Sequence, residues 1–249
     1  MDRIAWRAEY AEGLKIGRQR ACPAQRTGLD LAGAYALLAE LPSSTEVIKG
    51  YKGALTTKES QAAFKTREPA LGVLMEGMEV KGDKVKLTDF NRGAVETEIG
   101  VVLARDVMEV PSAGELPALI RSCHLMIELV DLNFQSPPSL VDLVLNNAAA
   151  KQYLCGPEID VAELERAALE LRLDDEVRYA EPSMRRTETL LDSLMWMLRQ
   201  SLALGLPVRE GQVWMAGAIG PVHAMRSGTY EFKLGADLDR AIGLTFVVA

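Results

Sequence analysis

The sequence predicts an α+β fold: helices first, then a curled, largely antiparallel sheet crossed by helices. Three observations carry this prediction. Residues 2–20 and 30–41 read as helices, the second capped by Asp30, striped by Leu31, Ala34, Leu37, Leu38 and Leu41, and ended by Pro42. Residues 94–103 (AVETEIGVVL) are rich in Val, Ile and Thr, and Leu169, Leu171 and Leu173 alternate with Glu170, Arg172 and Asp174; both are strand patterns. Residues 188–204 form a long amphipathic helix, with Leu190, Leu191, Leu194, Met195, Leu198, Ser201 and Leu202 inward and Gly205 as its stop.

The remaining elements follow in order. Residues 46–53 read as a short strand. Thr56 with Glu59 three residues on makes a capping box for a helix that runs to about Lys65. Alternation on either side of Lys81-Gly82-Asp83-Lys84 suggests a hairpin. Ser112 and Glu115 open a short helix, and the apolar run Cys123–Leu132 is a strand. After Pro137-Pro138, Ser139 and Asp142 cap a helix through about Lys151. The strand over 169–173 turns at Asp174-Asp175. Gln212–Met215, Thr229–Leu234 and Ala241–Val248 are strands, and Ala216–Pro221 is a loop of small residues.

Composition narrows the function. A chain of 249 residues can bury a substantial core, and 48% apolar with 25% charged residues is ordinary for a soluble globular protein. A formal charge of −7 leaves no basic footprint for phosphate backbones, so nucleic acid is not an expected partner. No apolar run is long enough to span a bilayer, and the N-terminus lacks the pattern of a signal peptide. Cys22, Cys123 and Cys155 read as reduced, buried thiols, and a cytoplasmic protein is expected. The Ala216–Pro221 loop lacks the spacing of a dinucleotide site.

The chemistry concentrates on three acids. Strand side chains alternate, so Glu96 and Glu98 share one face, their Cα atoms about 7 Å apart. Glu128 stands alone in the apolar run His124-Leu125-Met126-Ile127-Glu128-Leu129-Val130. If the two strands are neighbours, three carboxylates converge into an oxygen cage suited to Mg²⁺ or Mn²⁺. The alternative is that all three acids face solvent on a half-buried sheet. Lys52, between Gly50 and Gly53, is either a surface lysine or a cation placed where backbone approaches a ligand closely.

Five segments, taken together, resemble a known family along nearly the whole chain: Gly-Tyr-Lys-Gly-Ala-Leu-Thr (50–56), Val-Glu-Thr-Glu-Ile (95–99), Ile-Glu-Leu-Val-Asp (127–131), Val-Asp-Leu-Val-Leu-Asn-Asn-Ala (141–148) and Ala-Gly-Ala-Ile-Gly-Pro (216–221). Their order and spacing are similar to the 2-oxopent-4-enoate hydratase and 4-oxalocrotonate decarboxylase group of the fumarylacetoacetate hydrolase superfamily. The resemblance implies a mixed β-roll or open barrel with peripheral helices. A helical region over 1–75 would pack on a β-roll catalytic domain over 76–249, the two forming one structural unit. It implies that Glu96, Glu98 and Glu128 hold Mg²⁺ or Mn²⁺ and that Lys52 lies beside the substrate, as a cation or a proton carrier. Asp142 and Asn147 stand at motif positions that would orient substrate; helix capping and surface hydration are the alternative for both. Gly217 and Ala218 would offer backbone N–H groups to the substrate, or belong to a tight turn.

The expected activity is that of a metal-dependent lyase acting on a small unsaturated 2-oxo acid. Hydration of a 2-hydroxy-dienoate stands ahead of decarboxylation of a 4-oxalocrotonate-like diacid. A homo-oligomer is implied, with a pathway enzyme as a further partner. Three departures from the family pattern stand out: Ala70 where hydratases carry an acid, Ala149 where a serine follows Asn-Ala, and Ala216 in place of a threonine. They motivate a different reading, a weakened family member serving as partner subunit or binding protein. The hydrolase branch needs a Glu–His pair, and neither His124, a strand residue, nor His223, a loop residue near the pocket mouth, fits that role.

Overall fold

The structure, a computed structural model, describes residues 1–42, 46–182 and 187–249. Helices α1 (Arg3–Gly13), α2 (Ala24–Thr27) and α3 (Leu31–Ala39) come first. Strand β1 (Ile48–Ala54), helix α4 (Lys58–Ala63) and strands β2 (Ala70–Met75), β3 (Lys84–Val85) and β4 (Gly93–Leu103) follow. Helix α5 (Leu116–Leu119), strand β5 (Ile120–Asp131) and helix α6 (Leu140–Leu145) lead to strands β6 (Ala150–Ile159), β7 (Ala168–Leu173) and β8 (Glu176–Glu181). The long helix α7 (Thr187–Ala203) precedes β9 (Val213–Met215), β10 (Ile219–Ala224), β11 (Gly228–Gly235) and β12 (Ile242–Val248).

These strands form two open, mixed sheets, so the α+β expectation is met. The larger runs β2-β1-β9-β4-β5-β6 with β10 added beside β4; the smaller runs β3-β12-β11-β7-β8. Only the β1–β9 and β3–β12 pairings among them are parallel.

Strand β4 organises the larger sheet. One flank pairs with β5 along its length. The other is shared: β9 takes Gly100–Val102 and β10 takes Ala94–Thr97. Between β9 and β10 the chain leaves the ladder around Gly217. Both faces of β4 are covered, which is why side chains of both its faces, Val95, Ile99 and Val101 on one and Glu98 on the other, are buried. One hydrophobic core joins Trp6, Tyr35 and Leu38 of the early helices to Val95, Leu125, Leu198 and Phe232. Each such side chain contributes roughly 1.5–3 kcal/mol on burial. No helix among the described residues is long and apolar enough to cross a membrane.

Several local expectations are corrected. The first helix ends at Gly13, not near residue 20, because the chain doubles back and lays Arg20 against it; a Cβ on Gly13 would stand 3.0 Å from the Arg20 Cα. The cap of α4 is Thr57, whose hydroxyl accepts from the Ser60 N–H, and not Thr56 with Glu59; left-handed backbone at Leu55 (φ 55°) shifts the helix start by one residue. There is no hairpin at 81–84. Lys84 and Val85 pair in parallel with β12, and Glu79 bridges Tyr153, so the alternation served distant partners. The Ser139–Asp142 capping box is present, but α6 stops at Leu145 and strand β6 starts at Ala150. Left-handed backbone at Asn147–Ala149 forces that break. Cys123 is buried, Cys22 is partly buried and Cys155 is exposed; all three are free. His223 lies on strand β10, not in a loop.

Candidate metal centre and adjoining cavity

The register of β4 and β5 builds the centre. Glu96 lies directly opposite Glu128, and Glu98 is two residues along on the same face. One oxygen from each carboxylate lies within 4.8 Å of the others. The solvent-facing alternative is therefore excluded: Glu98 and Glu128 are fully buried and Glu96 is partly so. Room for this packing is made by Gly100, where a Cβ would stand 1.9 Å from the Met126 sulfur.

Lys52 reaches the same point from β1. It is buried, and its Nζ lies 2.9 Å from Glu128 Oε2 and donates to the Ala148 carbonyl at 3.1 Å. Its stem runs over Gly72, where a Cβ would sit 3.0 Å from both Lys52 Cγ and Cδ. Gly217, in the gap between β9 and β10, turns its N–H away from the ladder and donates to Glu98 Oε2 at 3.0 Å. That turn uses φ +106°, and a Cβ there would collide with Thr56 Oγ1 at 2.1 Å.

The charges do not balance. Burial, reinforced by Glu128, pushes the Glu96 carboxyl up to about 7. Burial and then Glu128 push Glu98 well above the usual carboxylate range. Burial pulls the Lys52 ammonium down, but Glu128, Glu96 and Glu98 together outweigh it and leave it raised. Glu98 Oε1 and Glu128 Oε1 are buried with no hydrogen-bond partner. Orphaned buried carboxylate oxygens are costly, and a hard divalent cation is what three converging oxygen donors suit. The residues present fit Mg²⁺ or Mn²⁺.

A cavity of about 300 Å³ opens beside Lys52 and Glu96. Its walls are mostly apolar, with Leu55, Phe64, Val130, Leu132 and Leu143 among them; Ala148, Ala149 and Ala218 also line it. Lys52 is the only cationic side chain among the described residues that line it. Thr56, Thr57 and Ser60 supply hydroxyls at one side, and the hydroxyls of Thr57 and Ser60 bond each other at 3.0 Å.

Of the residues singled out from sequence, Glu96, Glu98, Glu128, Lys52, Gly217 and Ala218 come together here. Asp142 and Asn147 do not line the cavity. The Asp142 carboxylate accepts from the Ser139 N–H and hydroxyl and from the Ala24 N–H, so it caps and ties helices. Asn147 Oδ1 accepts from the Val73 N–H at 2.7 Å and its Nδ2 donates to the Val73 carbonyl at 2.9 Å. The Gly217 N–H serves Glu98 rather than the cavity. Neither histidine lines the cavity. Sequence reasoning missed Gly72, which carries no pattern of its own, and the wall residues Leu55 and Phe64.

Residues 52–237 match the fumarylacetoacetate (FAA) hydrolase C-terminal family, and the chain belongs to that family. Within it, the chain is similar to 2-keto-4-pentenoate hydratases. It is 28% identical to that of Burkholderia vietnamiensis over 192 residues, 74% of this chain and 73% of the relative. It is 26% identical to 2-keto-4-pentenoate hydratase 1 of Dechloromonas aromatica over 185 residues, 72% and 70% of the two chains. The fold is shared with 4-oxalocrotonate decarboxylase from Pseudomonas putida G7, complexed with magnesium and adipate (TM-score 0.87, 16% identity, 99% and 97% of the chains covered). It is shared less closely with fumarylpyruvate hydrolase from Pseudomonas aeruginosa in complex with Mn²⁺ and pyruvate (TM-score 0.57, 13% identity, 82% and 90% covered). The kinship read from the five motifs is thus met.

Proposed function

We propose that the chain is a divalent-metal-dependent lyase that hydrates a 2-hydroxy-dienoate, the enol form of a small unsaturated 2-oxo acid, to a 4-hydroxy-2-oxo acid. The observation that carries the reading is the Glu96–Glu98–Glu128 cluster with its buried, orphaned oxygens, set beside Lys52 at the wall of a mostly apolar cavity. The hydratase relatives supply the reaction class.

Glu96, Glu98 and Glu128 would hold Mg²⁺ or Mn²⁺. Bound there, the cation would act as a Lewis acid toward the oxygens of a 2-oxo acid and offset the charge of its enol form. Gly217 fixes Glu98 through its N–H, so that one oxygen is spoken for and the other is left for a ligand. Lys52, whose ammonium the surrounding acids favour, serves as the cation for the substrate's carboxylate. The apolar walls exclude bulk water and receive the hydrocarbon tail.

The same walls favour hydration of a mono-acid over decarboxylation of a diacid. A second carboxylate at the far end would be buried without a cation, since Lys52 is the only one among the described lining residues. The weakened-member reading loses ground for a related reason: an unused cluster of buried acids would be a standing cost to stability.

The test is turnover of freshly generated 2-hydroxypenta-2,4-dienoate and of 2-hydroxymuconate with Mg²⁺, following ultraviolet loss and CO₂ together. Metal-dependent loss of the mono-acid without CO₂, reduced at least about 100-fold by Glu96→Gln, is expected for loss of one metal ligand. CO₂ release from the diacid would replace hydration by decarboxylation. No turnover of either would return the chain to a binding or partner role.

A further inference from the structure

Three consecutive residues, none of them glycine, sit in left-handed backbone beside the cavity: Asn147, Ala148 and Ala149, with φ of 54°, 50° and 61°. Residues with a Cβ visit this region singly and at a cost, so a run of three must be held by its surroundings. The holding groups are buried side chains. Asn147 brackets Val73 with one accepted and one donated bond. Arg20, 1% exposed, donates to the Asn146 carbonyl at 3.1 Å, just before the turn, and to the carbonyl of Ala149, its last residue, at 3.5 Å. Trp6 Nε1 donates to the Leu145 carbonyl just before it. Neither Arg20 nor Asn147 lines the cavity.

What the turn presents to the charged cluster is the Ala148 carbonyl, and it accepts from Lys52 Nζ. An ammonium has three N–H groups. The Ala148 carbonyl engages one, the Glu128 carboxylate stands 2.9 Å away on another side as an ion pair, and the stem runs over Gly72. The direction of the third is then set by geometry alone.

We propose that the left-handed turn is a positioning device for Lys52. Arg20 and Asn147 hold the Ala148 carbonyl where it aims the third N–H of Lys52 into the cavity, toward the carboxylate of a bound 2-oxo acid. Arg20 and Asn147 are positioning residues: they act on the ligand only through Lys52. The inference rests on the 2-oxo acid reading of the cavity, and it explains why a buried arginine is spent on two backbone carbonyls.

The probe is pyruvate, a 2-oxo acid without the conjugated tail, titrated calorimetrically into the Mg²⁺-loaded protein. Lys52→Met should weaken pyruvate about tenfold or more, the scale of a lost buried charge contact. Arg20→Met should weaken it about five- to tenfold with Mg²⁺ affinity unchanged, and should add nothing in the Lys52→Met background, because coupled residues are not additive. Arg20→Lys, which can reach one of the two carbonyls, should restore part of the loss. Asn147→Ala removes the two bonds that bracket Val73 and leaves Arg20 and the cavity wall in place, so it carries the test should Arg20→Met fail to fold; it should weaken pyruvate in the same way. Wild-type affinity in both Arg20→Met and Asn147→Ala, or an Arg20→Met loss that persists without Lys52, would overturn the positioning role alone. A wild type that binds Mg²⁺ but no pyruvate would overturn the 2-oxo acid reading, and this inference with it.

Discussion

At Glu96 the fold holds a carboxyl that takes up its proton near pH 7 instead of near the usual value, because burial and Glu128 both oppose its charge. Such a group is more protonated in the folded than in the unfolded chain. Its contribution to metal-free stability is full below the unfolded value and is lost as pH rises through about 7. A divalent cation competes with that proton and needs the carboxylate. The melting temperature of the metal-free protein should therefore fall between pH 6 and pH 8, while the rise produced by millimolar Mg²⁺ grows over the same interval. Thermal scans at the two pH values check both slopes, and a Mg²⁺ effect that shrinks with pH would contradict the site. Gly217→Ala tests the same cluster sterically. Its Cβ would strike Thr56 and its backbone is left-handed, so a loss of roughly 1–3 kcal/mol is expected in denaturant unfolding. Mg²⁺ stabilisation should weaken with it, since Glu98 loses its backbone donor.

Among the elements, α7 and the β4–β5 pair were the most legible. The apolar stripe of residues 188–204 placed Leu190, Leu194 and Leu198 inward, and all three are buried. Leu198→Ala should cost about 2–5 kcal/mol, read as a lower denaturant midpoint with an unchanged slope. The triad was legible for a physical reason: alternation puts Glu96 and Glu98 on one face, and a lone acid in an apolar run demands a partner. What could not be read was the break after α6. Ala148 and Ala149 look like helix formers, and tertiary bonds from Arg20 and between Asn147 and Val73 hold the turn left-handed. For the same reason Asp142 and Asn147 were placed by motif in the pocket, whereas their side chains are taken up by backbone groups. The one-residue shift of the α4 cap likewise follows from Leu55, whose left-handed backbone no local pattern announces.

Over the whole molecule, β1 and β2 are strands of the same sheet as β4, and the early helices share its core. Residues up to 75 should therefore not melt separately. A single calorimetric transition with matching calorimetric and van't Hoff enthalpies is expected, and two resolved transitions would divide the chain. The sheet order itself was beyond sequence reasoning, because β1–β9 and β3–β12 join segments far apart in the chain and nothing local encodes such pairs. The four charged groups stand on three strands of one sheet: Lys52 on β1, Glu96 and Glu98 on β4, Glu128 on β5. Much of the cavity wall comes instead from connections and short helices, including Leu55, Thr56, Phe64, Ala148 and Ala218. On the proposed reading, the charged groups and much of the substrate-facing wall would thus lie on separate parts of the chain. A designer could then revise turns to accept another substrate tail while leaving the charged strands untouched.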